Sequence, residues 1–160
     1  MGILKTIDPL LTAELLYVLR SAGHGDVIAV VDANFPAANL ALETAWEESV
    51  VLAGADLPTT LAAMTSLLPL DRFIDDPVGV MVPSEGNTMP DLAVEVQSQS
   101  IAAIEANCGQ ISCEEVERFD FYEQASEAYA IVQCGAERRP YGCFLLTKGV
   151  VGPDGKDLMP

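Results

Sequence analysis

A run of five apolar residues, Val27-Ile28-Ala29-Val30-Val31, constrains the fold more than any other feature of the sequence. The run is short, continuous and rich in β-branched residues, which is typical of a strand buried on both faces. Asp32 ends it, and Pro36 follows in a loop. Such a strand needs helices on both sides of its sheet, so the rest of the chain should supply them.

The first of these helices is predicted directly before the strand. Asp8 is a good N-cap, and Pro9 suits the first helical position. Apolar residues then recur at helical spacing, at Leu11, Leu15, Val18 and Leu19. Gly23 and Gly25 favour a helix end before the strand begins.

Strands and helices continue to alternate along the chain. The apolar patterns predict strands over 49–52, 78–82, 115–119, 129–133 and 143–147, and helices over 57–68, 90–107 and 121–128. This order predicts an α/β fold, a single domain with a largely parallel sheet covered by helices. The chain of 160 residues fits one domain, which we place at 1–150, with 151–160 as a flexible C-terminal tail.

The charge of the chain restricts its partners. Its 24 acidic and 8 basic residues give a net charge of −16, which repels phosphate backbones and anionic lipid surfaces. We therefore expect no nucleic-acid partner and no membrane association, whereas an uncharged ligand meets no such penalty. The first residues lack a signal-peptide pattern, and the apolar stretches are too short to span a membrane, so a cytoplasmic location is expected.

The same composition predicts self-association and argues against a metal or a cofactor. Half of the residues are hydrophobic, and a small domain has limited interior, so a large homo-oligomer is expected. Four cysteines form no CxxC pair, and one histidine cannot complete a zinc site at the usual spacing. The chain contains no GxGxxG, P-loop or GxSxG motif.

Two candidate site residues flank the buried strand. His24 lies between glycines, so its imidazole is free to face a cavity and exchange protons near neutral pH, or it simply caps the preceding helix. Asp32 follows the strand, where ligands bind in open α/β sheets, or it simply begins a turn. As a straight strand, the segment from Asp26 to Asp32 spans roughly 20 Å, which places His24 and Asp32 at opposite strand ends. Three arrangements would bring His24 and Asp32 into one site: the segment between them bends, His24 reaches in from its loop, or two subunits share the site.

Two further candidates lie in the C-terminal half. Arg118 follows the acidic run Glu114-Glu115-Val116-Glu117, and its guanidinium either binds hydroxyl groups or pairs with that run. Tyr141-Gly142-Cys143 opens the last predicted strand. The tyrosine hydroxyl can donate to or accept from a ligand there, or Tyr141 is simply a turn residue.

The order of these motifs resembles one known family. The motifs are Leu4-Lys5-Thr6-Ile7-Asp8-Pro9-Leu10, Gly23-His24-Gly25-Asp26 with Asp32-Ala33-Asn34-Phe35-Pro36-Ala37, Glu85-Gly86, Arg118-Phe119-Asp120-Phe121-Tyr122-Glu123-Gln124-Ala125, and Tyr141-Gly142-Cys143 with Leu145-Leu146-Thr147-Lys148-Gly149-Val150. Together they are similar to the L-fucose mutarotase and D-ribose pyranase (FucU/RbsD) family, and more to its FucU branch. The resemblance covers the chain from Leu4 to Val150.

The resemblance implies a fold, an activity and a site. It implies an RbsD-like fold and a mutarotase, an isomerase that interconverts the anomers of a free monosaccharide, most directly L-fucose, without a metal or cofactor. Ring-shaped homo-oligomers, often decamers, with sites at subunit contacts are also implied. By matching position, His24 would be the proton donor. The sugar would be bound by Asp32, Arg118, Tyr141, Gly142 and Cys143.

Two positions depart from the FucU pattern. Asn34 stands where FucU proteins often have histidine, and Cys143 stands where the family commonly has asparagine. The asparagine-to-cysteine difference removes an amide that can both donate and accept hydrogen bonds, so the preferred sugar is open. The alternatives are a ribose pyranase, a non-catalytic monosaccharide-binding accessory protein of sugar uptake, and a structural oligomer that binds no sugar.

Overall fold

A computed structural model describes residues 2–160 and contains eleven helices and strands besides one short 3-10 turn at Ala41–Glu43. The elements are α1 (Ala13–Ser21), β1 (Val27–Val31), α2 (Ala37–Leu40), β2 (Ser49–Leu52), α3 (Leu57–Thr65), β3 (Val78–Val82), α4 (Asp91–Cys108), β4 (Cys113–Glu117), α5 (Arg118–Ser126), β5 (Ala130–Cys134) and β6 (Phe144–Thr147). None of the helices within residues 2–160 combines the length with the apolar composition that a membrane span requires.

The six strands form one mixed sheet in the order β2-β5-β1-β6-β3-β4. β1 and β2 each pair parallel to β5, and β3 pairs parallel to β4, whereas β6 runs antiparallel to both β1 and β3. Five strands therefore point the same way, and the predicted α/β class with a largely parallel sheet is confirmed. β6 is reversed because residues 135–143 contain no helix, and a parallel return needs a crossover of about a dozen residues or more.

Both faces of the sheet are covered, as the apolar run of β1 predicts. Ile28 and Val30 point to one core, which they share with side chains of α1, α3 and α4. Ala29 and Val31 point to the other, which they share with α2 and α5. All four of these side chains are fully buried, so the alternation of the strand divides one apolar run between two cores.

The prediction that Asp8 caps the first helix is wrong. α1 begins at Ala13, and Thr12 is its N-cap, with Oγ1 accepting the N–H of Leu15 at 3.2 Å. Asp8 instead closes a turn, in which Oδ1 accepts the N–H of Leu10 at 2.8 Å. Both residues have suitable side chains, and the turn at Asp8 brings Leu11 into the core before the helix starts.

The chain after β6 folds back on itself locally. Val151 forms a bridge with Asp157, and the N–H of Gly152 donates to the carbonyl of Lys156 at 2.7 Å. The division of the chain into a domain at 1–150 and a flexible tail at 151–160 stays a prediction.

Candidate active site

A cavity of about 260 Å³ lies at the edge of the sheet where β1 and β3 end. Because β6 is antiparallel, its start lies at this same edge, which brings Tyr141 and Cys143 beside Asp32. Arg118, the first residue of α5, completes the group. The lining residues are Asp32, Asn34, Phe35, Met81, Arg118, Tyr122, Pro140, Tyr141 and Cys143.

Asp32 is buried in this cavity and also forms the predicted turn. Its side chain is only 6% exposed. Oδ1 accepts the N–H of Asn34 at 2.8 Å, and Oδ2 accepts a hydrogen bond from the thiol of Cys143 at 3.5 Å. Burial raises the pKa of Asp32 and outweighs these hydrogen bonds. The carboxylate is therefore more basic than an exposed aspartate, which suits it to accept protons from hydroxyl groups.

Cys143 is buried and serves as a hydrogen-bond donor. Burial, reinforced by the charge of Asp32, raises the pKa of its thiol well above the ordinary value of 9.0. A thiol held protonated is a poor nucleophile, so this residue lines the cavity without attacking a ligand.

Arg118 lines the cavity and contacts Tyr122, which lines it as well. Its Nε donates to the hydroxyl of Tyr122 at 3.1 Å, and its guanidinium lies 5.6 Å from the centre of that ring. The ring of Tyr122 packs edge-on against Phe35, with centroids 5.3 Å apart. The ion pairs within residues 2–160 do not include Arg118, so pairing with the preceding acidic run is wrong.

Tyr122 is a cavity residue that the sequence interpretation did not select. Its signal is its spacing, since it lies four residues after Arg118 on one helix and therefore on the same face.

The backbone at Tyr141 and Gly142 has little freedom. Tyr141 has a φ of 58°, in the left-handed region that a tyrosine rarely adopts. Its carbonyl accepts a hydrogen bond from Nε2 of Gln97 at 2.9 Å, which α4 supplies. A Cβ on Gly142 would lie 3.2 Å from Cγ of Glu137, so this position favours glycine. Gly142 thus fixes the backbone between Tyr141 and Cys143, which line the cavity, but does not line the cavity itself.

His24 lies at the opposite end of β1, before the strand begins. Its Nε2 is 3.1 Å from Oδ2 of Asp71, and its side chain is about half exposed, at 51%, whereas that of Asp71 is 5% exposed. Asp71 is held in turn, because its N–H donates to the carbonyl of Thr147 at 3.0 Å and its Oδ1 accepts the N–H of Phe73 at 3.0 Å. Asp71 therefore orients the imidazole.

The loop that carries His24 is fixed by Lys148. The Nζ of Lys148 donates to the carbonyl of Leu19 in α1 and to that of Ala22, the C-cap of α1, and its backbone carbonyl accepts the N–H of Gly25 at 2.8 Å. Lys148, not His24, therefore caps α1. The imidazole is left facing a groove of about 830 Å³, which α1 and residues 148–151 line with mostly apolar side chains.

His24 and Asp32 do not lie close together within one subunit. β1 keeps a regular register with β5 and β6 along its length, so the segment between them does not bend. The two residues line different cavities. Of the three arrangements open at the sequence level, bending and reach within one chain are wrong.

The part of the chain described here contains no group of three or more His, Cys, Asp or Glu side chains that could hold a metal ion. Its four cysteines are free.

Comparison with known proteins places the chain in a family. The model of the RbsD / FucU transport protein family matches residues 5–151, which is most of the chain. The chain belongs to the RbsD/FucU family. The predicted resemblance is confirmed.

Named members of the RbsD/FucU family align over nearly the whole chain. The fucose mutarotase of Homo sapiens is 39% identical over 150 residues, covering 92% of this chain and 94% of that protein. The L-fucose mutarotase of Glaesserella parasuis serovar 5 (strain SH0165) is 42% identical over 149 residues, covering 92% and 95%. The crystal structure of the fucose mutarotase from Streptococcus pneumoniae in complex with L-fucose superimposes with a TM-score of 0.81 at 32% identity, covering 93% and 100%.

Proposed function

We propose that this protein is an isomerase that interconverts the α and β anomers of a free monosaccharide, most directly L-fucose. The relatives named as fucose mutarotases and the Streptococcus structure that holds L-fucose support this substrate. The observation that carries the proposal is the cavity at the sheet edge, where a buried carboxylate, a guanidinium and two tyrosines converge on about 260 Å³. Such a space suits a single sugar ring with hydroxyl groups to bind.

The chemistry follows from what mutarotation needs. The ring opens when a proton is added to the ring oxygen and another is removed from the anomeric hydroxyl, and it recloses on the other face. His24 donates the first proton, and Asp32 binds the anomeric hydroxyl and accepts the second. Asp32 suits this role because burial raises its pKa. No redox step or group transfer occurs, so the reaction needs no cofactor.

The remaining candidates bind the sugar. The guanidinium of Arg118 and the side chains of Tyr141 and Cys143 contact its hydroxyl groups, Gly142 shapes the wall between those two residues, and the ring of Tyr122 covers one face. We add Asp71 as the residue that orients His24, since it is the partner of the imidazole at 3.1 Å.

The active site is shared between subunits. The proton donor and the sugar-binding cavity lie at opposite ends of β1, so His24 of the partner subunit must complete the cavity of its neighbour. The half-exposed imidazole and the apolar groove beside it support a subunit contact there. We propose a ring-shaped homo-oligomer, a decamer by resemblance to the family, in the cytoplasm.

Mixing inactive variants tests the shared site. His24→Asn and Asp32→Asn should each be inactive alone, and subunit exchange between them should restore part of the activity in mixed oligomers. Each variant mixed with itself is the control. Mixed oligomers without any recovery would contradict a shared site, and a monomer in light scattering at micromolar concentration would contradict the assembly.

Saturation-transfer NMR tests the activity itself. Exchange between anomers is measured for L-fucose, D-ribose and other free sugars, with and without the protein. Faster exchange of L-fucose supports the proposal, and faster exchange of ribose forms would instead support a ribose pyranase. Binding without acceleration for any sugar would support the accessory-protein alternative, and no binding would support a structural oligomer.

A further inference from the structure

Glu137 is a buried carboxylate that the proposed chemistry does not use. It is only 2% exposed and lies in the loop between β5 and β6. Its carboxylate accepts four hydrogen bonds, from the N–H of Leu57 at 3.2 Å and from Arg139 through the backbone N at 3.0 Å, Nε at 2.8 Å and Nη2 at 2.7 Å. Burial would raise the pKa of Glu137, but these hydrogen bonds lower it overall.

Glu137 contacts the two segments that form the walls of the sugar cavity. Its backbone carbonyl accepts the N–H of Ala33, the residue after Asp32, at 2.9 Å. Its Cγ packs against Gly142, at a distance that leaves no room for a Cβ without adjustment. One residue therefore links the turn that carries Asp32 to the segment that carries Tyr141 and Cys143.

Arg139 extends this link to α4. Its Nη1 donates to Oε1 of Gln99 at 2.7 Å and to Oε1 of Glu95 at 3.3 Å. The same helix supplies Gln97, whose amide donates to the carbonyls of Met81 and Tyr141. The left-handed backbone at Tyr141 is therefore fixed from two sides, because strained conformations persist only where surrounding contacts impose them.

We propose that Glu137 is a positioning residue for the sugar site. Its buried ion pair with Arg139 anchors residues 135–142 to the start of α3 and to α4, and so holds Tyr141 and Cys143 opposite Asp32. The role rests on the proposed function, since the geometry being held is that of the sugar cavity. Glu137 touches no substrate and acts through Tyr141, Cys143 and Asp32.

Glu137→Gln tests this role, because it keeps the size of the side chain but removes the charge that Arg139 pairs with. We expect the Kd of L-fucose, from NMR titration, and the KM for anomer exchange to rise about tenfold or more, because Tyr141 and Cys143 are no longer preorganised for the sugar. The kcat should fall less, because Asp71 still orients His24 and the N–H of Asn34 still holds the carboxylate of Asp32. If Glu137 had a purely structural role, Glu137→Gln would lower Tm but would not raise Kd and KM more than it lowers kcat.

Glu95→Gln is the matched control. It removes the charge of the outer ion pair of Arg139, at 3.3 Å and with Glu95 more than half exposed, and leaves the buried pair intact. Its Kd and KM should stay at parent values. If Glu137→Gln does not fold, Arg139→Gln breaks the same pair from its more exposed side, and the same rise is expected. Failure of both variants to fold would make the pair a folding requirement and reject a positioning role.

The outcomes separate this inference from the proposed function. A folded Glu137→Gln with parent Kd and KM would overturn the positioning role while leaving mutarotation intact. A parent protein that binds L-fucose but does not speed exchange would overturn mutarotation, and the Kd comparison would still decide the role of Glu137. If the parent binds no sugar, hydrogen exchange at the Ala33 amide decides: faster exchange in Glu137→Gln supports the link, and unchanged exchange overturns it.

Discussion

The thiol of Cys143 donates a hydrogen bond to Oδ2 of Asp32 across 3.5 Å, on the wall of the sugar cavity. This contact joins the start of β6 to the end of β1, two antiparallel neighbours in the sheet. Cys143 occupies a position where we expect asparagine from the family resemblance. The contact therefore lies where the resemblance predicts a departure from the FucU pattern.

Replacing Cys143 with asparagine tests whether the thiol matters. An amide can still donate to Asp32 and line the cavity, so Cys143→Asn should keep or raise L-fucose turnover, measured by anomer exchange. Cys108→Ser is the control, because that half-buried thiol is not a cavity residue, and it should leave turnover unchanged. Abolished turnover in a folded Cys143→Asn protein would show that the thiol has its own role or that the cavity is suited to another sugar.

The pH dependence of turnover should report Asp32. Burial raises the pKa of this carboxyl above its ordinary value of 3.8. As a base it must be ionised, so the rate should fall as the pH drops through the raised pKa, and the acid limb should begin at a higher pH than an exposed aspartate would give. Exchange rates from pH 8 downward measure this limb. An acid limb centred at or below 3.8 in a protein that stays folded would contradict the role of Asp32 as the base.

Gly149 should be intolerant of alanine. A Cβ there would lie 2.3 Å from the carbonyl oxygen of Leu70, a backbone atom that cannot move aside cheaply. Gly149→Ala should therefore lower the free energy of unfolding by about 1–3 kcal/mol, measured in urea. Gly54→Ala is the control, since a Cβ there meets no atom within 4 Å, and it should stay within about 0.5 kcal/mol of the parent. Equal stabilities for the two variants would contradict the close approach of the Gly149 backbone to that of Leu70.

Activity should survive EDTA. The proposed reaction transfers only protons, and His24 and Asp32 supply them. Anomer exchange should therefore proceed at the same rate before and after chelation. Loss of activity that a divalent ion restores would show that a metal takes part.

The sequence predicts the fold well because the decisive signal is local. The apolar run of β1 and the alternation of helices with strands suffice for the α/β class. The reversal of β6 and its insertion between β1 and β3 are different, because they depend on which strands β6 contacts across the sheet, and short-range patterns do not encode that choice. The start of α1 was missed because Asp8 and Thr12 are both acceptable caps.

The candidate site is predictable only in part for the same reason. Asp32 follows from the rule that ligands bind beyond strand ends, and Tyr141 and Cys143 join it once the direction of β6 is known. Asp71 could not be found, since it lies 47 residues from His24 and is an ordinary loop carboxylate in the sequence. The length of the strand indicates that His24 and Asp32 lie apart if the strand is straight, and only the regular strand register excludes a bend.

His24→Asn tests the central claim, proton transfer by His24, most directly. His24 is the one histidine of the chain, so no other imidazole can replace it. Asparagine keeps a hydrogen-bonding group but carries no titratable ring. By saturation-transfer NMR on a variant with the parent fold and oligomer size, anomer exchange should fall by about 10²-fold or more. The Kd of L-fucose should rise only moderately. A folded His24→Asn protein that exchanges anomers at the parent rate would contradict the mechanism.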